Sequence, residues 1–104
     1  MADLNESADG STVHLAVGET RLLVLGERPS TGFRWQIASS NDAVVTVAPA
    51  AFRARSERPG DGGQRSFLIT ALRAGSATVT GTNQRGASAD ALVDRRCTVT
   101  FVVT

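Results

Sequence analysis

Five stretches of this chain place a small or apolar side chain at every second position. They are Val13, Leu15 and Val17; Phe33, Trp35 and Ile37; Phe67, Ile69 and Ala71; Ala77, Val79 and Gly81; and Cys97, Val99, Phe101 and Val103. A period of two is that of a strand with one face buried, and a helix would scatter the same residues around its axis. Two more segments join them. Arg21 to Glu27, RLLVLGE, is apolar on both faces and reads as a strand buried between layers. Val44, Val45 and Val47 read as a short strand ended by Pro49, with some extended chain over 51–55. Turn chemistry separates the runs: VGET from Val17, SSND from Ser39, ERPGDGGQ from Glu57 and RAGS from Arg73. Asn83 to Asp94 reads as a longer loop of small and polar residues.

About seven to eight short strands with turns between them and no helical period predict an all-β fold, an immunoglobulin-like antiparallel β-sandwich. One domain is expected over 12–104, preceded by a flexible lead-in at 1–11 whose residues are polar and patternless. Alternate loops of a sandwich gather at the same end. The loops at 26–33, 56–65 and 83–95 are therefore expected side by side at one pole.

Bulk properties narrow the function. The chain is 41% hydrophobic and 20% charged, as soluble globular domains are. Its net charge of +1 gives no field that would select nucleic acid or a membrane surface as partner, although all eleven basic residues are Arg. Cys97 is the single cysteine, so neither an intrachain disulfide nor a metal site of two thiolates can form within the chain. The opening residues, MADLNESADG, hold no apolar run of the kind a leader carries. The chain as it stands is expected in the cytoplasm, or as secreted or periplasmic if a leader was removed, and as a monomer.

Nothing in the chain assembles a catalytic set. His14, the one histidine, alternates away from the apolar face of its strand and has no evident partner. Cys97 shares the face of Val99 and Phe101 and reads as a small buried hydrophobe. Pro59 to Gly63, PGDGG, lacks the Lys and the hydroxyl residue of a phosphate loop and precedes a strand. Its glycines would let another backbone come close. Arg28 to Phe33, RPSTGF, is a stiff loop: Pro29 fixes one φ, Gly32 can take a positive one, and the strand from Phe33 anchors the end. A stiff loop loses little entropy on binding.

Taken in order, Val-Gly-Glu-Thr, Pro-Ser-Thr-Gly-Phe-x-Trp, Gly-x-Gly-Gly and then Ala-Gly-x-Ala resemble the chagasin family of cysteine protease inhibitors over about residues 12–104. The family's first loop reads Asn-Pro-Thr-Thr-Gly followed by Tyr or Phe. Here Pro29, Thr31, Gly32 and Phe33 match, Ser30 replaces Thr and Arg28 replaces Asn. Gly60, Asp61, Gly62 and Gly63 match the Gly-x-Gly-Gly motif. The family's Arg-Pro-Trp falls on Arg85, Gly86 and Ala87, which keep only the Arg. Loss of an interfacial Trp typically costs about 2 kcal/mol, roughly thirtyfold in affinity. Leu92 and Val93, later in the same segment, are the apolar residues placed to compensate.

The resemblance implies a reversible inhibitor of papain-like, cathepsin-like cysteine proteases that occludes their cleft with three loops and uses no metal, cofactor or catalysis. Thr31 would sit by the catalytic thiol, Gly32 would allow close approach, and Pro29 with Phe33 would hold the loop rigid around Ser30. The backbone at Gly60 to Gly63 would lie along the cleft as an added strand does. Arg85 would cover the opposite side. Two other uses of the fold remain open: a non-inhibitory binding or adhesion module, and a polyanion binder using the Arg residues near 53–65.

Overall fold

The computed structural model describes residues 3–28, 31–54, 62–86 and 92–104. They form eight strands: β1 (Leu4–Asn5), β2 (Thr12–Leu15), β3 (Thr20–Glu27), β4 (Arg34–Ser39), β5 (Val45–Ala54), β6 (Gly63–Ala71), β7 (Gly75–Arg85) and β8 (Leu92–Val103). Two four-stranded sheets result, ordered β1-β3-β6-β5 and β2-β8-β7-β4. This is the expected immunoglobulin-like sandwich. Pairing is antiparallel except at two edges, where β1 runs parallel to β3 and β2 parallel to β8.

The alternating residues meet between the sheets. Leu15, Leu23, Leu25, Val45, Ile69, Val79, Val99 and Phe101 are at most 1% exposed, and Trp35 and Cys97 lie among them. Burying one such side chain contributes roughly 1.5–3 kcal/mol. The period-two reading therefore corresponds to the physical core. His14 is exposed on β2.

Several expectations change in the folded chain. Only one face of β3 enters the core: Leu23 and Leu25 are buried, while Leu22 and Val24 are half-buried on the outer face of their sheet. Val17, expected on the face of Leu15, lies beyond the end of β2 and is 55% exposed. Pro49 does not end its strand. β5 continues to Ala54 because it is the edge of its sheet, and the register shift between Pro49 and Ala51 absorbs the disruption. The segment Asn83 to Asp94 is not all loop, since β7 runs through Arg85 and β8 begins at Leu92, with Arg85 opposite Leu92.

The lead-in is organised from Leu4 onward. Leu4 and Asn5 pair with Leu23 and Val24, a 3-10 turn follows at Glu6–Ala8, and Asn5 caps it by accepting the Ser7 N–H at 2.8 Å. The Gly10 N–H then donates to the Thr98 carbonyl at 2.7 Å, and the Thr98 N–H to Asp9 Oδ1 at 2.8 Å. These bonds fasten the segment across both sheets, which a frayed end would not be.

Candidate functional site: the loop-bearing end of the sandwich

Register alone fixes where the loops leave the sandwich. Glu27 at the end of β3 is paired with Gly63 at the start of β6, and Gly63 with Ala54 at the end of β5. On the other sheet Arg34 at the start of β4 pairs with Gln84, and Arg85 with Leu92. All three junctions, β3 to β4, β5 to β6 and β7 to β8, thus open at one end, as the connectivity predicts. A cleft of about 580 Å³ lies between them, with Thr31, Phe33, Gly63 and Arg85 among its walls. Pro29, Ser30, Gly60 and Asp61 lie outside the described residues, as do Arg55 and Arg58.

Beneath the loops is a carboxylate that the sequence reading passed over. Glu27 is 2% exposed. Its Oε2 accepts the Trp35 backbone N–H at 3.0 Å, and its Oε1 accepts Arg65 Nε at 3.1 Å and Nη2 at 2.7 Å. One side chain so joins the start of the first loop, the strand after it and the strand after the second loop. The Trp35 indole N–H donates to the Gly26 carbonyl at 2.7 Å, and Arg95 Nη2 donates to the same oxygen at 2.7 Å while its guanidinium lies 5.4 Å from the Trp35 ring. Arg95 also pairs with Glu6. The signal was present: Glu27 has the parity of Leu23 and Leu25, and Arg65 that of Phe67 and Ile69. Arg65 therefore belongs to this network, and Arg53 is the other described member of the Arg group once considered for a polyanion.

The first loop is held locally and from across the cleft. The Thr31 hydroxyl and N–H both donate to the Arg28 carbonyl, at 2.7 and 3.1 Å, and the hydroxyl accepts the Phe33 N–H at 3.4 Å. Arg85 reaches over from β7, its Nε and Nη2 donating to the Thr31 carbonyl, the former at 3.2 Å, with its guanidinium 4.7 Å from the Phe33 ring centroid. Thr31 and Gly32 remain exposed and Phe33 is half-buried. Gly32, at φ 82°, takes the positive angle foreseen for it.

Gly62 and Gly63 meet an internal requirement. Gly62 has φ 74°, and a Cβ there would fall 2.9 Å from the Glu27 carbonyl oxygen. A Cβ on Gly63 would collide with the Arg53 carbonyl and lie 2.8 Å from Ala54 Cα. The close backbone approach read as an offer to a partner is, at these two positions, used by the chain's own strands. Cys97 is 2% exposed, and burial, with the charges of Asp9 and Glu6, pushes its thiol pKa up, so it is no nucleophile.

Fold and site together define a protein that presents a loop-bearing end, bonded together at the described loop roots, on an immunoglobulin-like sandwich. The chain belongs to the chagasin family of peptidase inhibitors, I42, whose model matches residues 14–103, and so to a family of inhibitors rather than enzymes. Chagasin from Trypanosoma cruzi is 32% identical over 87 residues, 79% of each chain. Among solved structures, the cysteine protease inhibitor EhICP2 from Entamoeba histolytica superimposes with a TM-score of 0.80 at 23% identity, over 97% of this chain and 92% of that one. PbICP-C, solved in complex with falcipain-2, does so at 0.66 and 14% identity, over 100% of this chain and 96% of that one. These two likenesses establish the shared fold.

Proposed function

We propose that this inhibitor acts on papain-like cysteine proteases by seating its loop-bearing end in their active-site cleft. The observation that carries the reading is that residues of all three junctions wall one cleft and are bonded to each other beneath it. A papain-like site is a groove that needs a peptide carbonyl placed against a thiolate and its His partner. Loops locked at their bases fill such a groove without offering a scissile bond in that geometry, so inhibition is reversible. Thr31 and Gly32 are exposed on the first loop, and Gly63 borders the cleft beside them. Arg85, expected to cover the far side of the groove, holds the Thr31 carbonyl from the third junction. A contact of ordinary size would bury about 800 Å² on each partner.

The test is titration of papain or a cathepsin with the purified protein, following hydrolysis of a small substrate. Inhibition at or below micromolar protein is expected. Thr31→Arg, which adds bulk and charge at an exposed tip, should weaken inhibition at least tenfold and leave Tm nearly unchanged. Failure to inhibit several papain-like enzymes would favour the adhesion-module reading, and equal loss of inhibition and stability in Thr31→Arg would make the loop structural.

A further inference from the structure

Large apolar side chains left in water are few among the described residues, and their positions are not random. Val17 and Leu72 lie at the end of the sandwich opposite the loops, where the Gly18 N–H bonds the Ala71 carbonyl, and Leu68 is on an outer sheet face. The remaining two, Leu92 and Val93, open β8 at the loop-bearing end. Leu92 is the most exposed of the five, at 61%.

Register gives Leu92 its neighbours. It is directly opposite Arg85, and directly opposed residues share a face of the sheet. Arg85 in turn lies over the Phe33 ring. A row therefore crosses the mouth of this sheet, from Phe33 at the root of the first loop through Arg85 to Leu92 at the root of the third. The guanidinium in the middle is committed to the Thr31 carbonyl and the ring. Among the described residues of the third junction, Leu92 and Val93 offer apolar side chains outward beside the exposed Asp94, Arg95 and Arg96, and the twelve residues of β8 continue behind them.

We infer that Leu92 is the third-junction anchor of the inhibitory surface, seated against an apolar patch on the wall of the protease groove on the side away from the second loop. The inference rests on the inhibitor reading and adds the residue and the chemistry of its contact. The two apolar side chains lie at the loop-bearing end beside Arg85, whose guanidinium is held within the molecule by the Thr31 carbonyl and the Phe33 ring. A protease lined there by aliphatic or aromatic side chains is bound tightly; one with a carboxylate or a lysine at that wall is bound weakly.

Leu92→Ala tests it against papain, with Leu72→Ala at the far end as control. Losing the burial of a mostly exposed Leu corresponds to roughly a tenfold rise in Ki. The rise should come from faster dissociation, stay the same between low and high salt, and occur with Tm unchanged. Leu72→Ala should match the wild type. If Leu92→Ala inhibits within twofold of wild type while Thr31→Arg does not inhibit, the Leu92 anchor is refuted and the inhibitor reading stands. If Ki and Tm shift together, Leu92 is structural and the anchor is refuted. If the wild type inhibits no papain-like enzyme, both fall.

Discussion

Replacing Glu27 by Ala removes the group that ties two of the three junctions together, and its cost can be worked from the bonds it makes. The change strands the Trp35 backbone N–H inside the fold, a loss of about 1–3 kcal/mol for a buried donor without a partner. It also takes the carboxylate from Arg65. Breaking a fully buried pair costs about 3–5 kcal/mol, but the Arg65 side chain keeps 26% of its exposure and can turn toward water, so only part of that applies. A total near 3 kcal/mol follows. For a domain of this size each kcal/mol moves Tm by about 4–8 °C, so a fall of roughly 12–24 °C is expected. Glu27→Gln keeps one acceptor but turns an NH2 toward the other donors, and should fall between. Thermal unfolding by circular dichroism at pH 7 measures the effect, with urea unfolding to check that the m-value is unchanged. Paired with Arg65→Met, the double variant should lose less than the sum of the singles, as contacting residues do. A Tm within 3 °C of wild type for Glu27→Ala would refute the idea that this carboxylate holds the loop roots.

Two other expectations follow from the same region and from the core. Gly63→Ala must push β5 away from β6 or distort the strand, since its Cβ meets backbone on the Arg53 side; a loss of about 1–3 kcal/mol is expected, read as a lower urea midpoint, and a neutral result would show that the edge strand gives way freely. Cys97 should resist thiol reagents in the native protein and react only as fast as the fold opens. Because its folded pKa is raised above the unfolded value, here 9.0, the stabilisation is complete below that pH and is lost as pH rises through the folded value. Wild type should therefore lose more stability than Cys97→Ala between about pH 8 and 11; parallel curves would show that the thiol does not titrate with folding.

The alternation of side chains made most strands legible, and connectivity alone placed the three junctions together. What stayed hidden has physical reasons. Two residues, Leu4 and Asn5, are too few to display a period, so the N-terminal pairing left no mark. Pro49 is a strand breaker in general, and nothing local reveals that its strand lies at an edge where a missing N–H is tolerated. Asn83 to Arg85 look like loop because they are polar, yet Asn83 is only 3% exposed, being paired with Trp35 in the ladder and sharing its inward face. Glu27 sat in plain alternation with two leucines, and its charge argued against the burial its position implied. The Gly-rich motif was read outward, whereas at Gly62 and Gly63 the space is taken by Glu27 and Arg53.

The parallel pairing of β2 with β8 also bears on when the protein comes into being. Thr12 to Leu15 are made early, but their sheet partners are Thr100 to Val103, and β8 lies between β2 and β7 in the sheet order. Closing so long a loop carries its entropic cost before any contact repays it, and folds dominated by such pairings form slowly. On the ribosome, that sheet lacks its inner strand until β8 has emerged. The third junction, whose roots are Arg85 and Leu92, takes shape only at that moment, so a nascent chain that stops short of β8 has at most two of the three junctions in place.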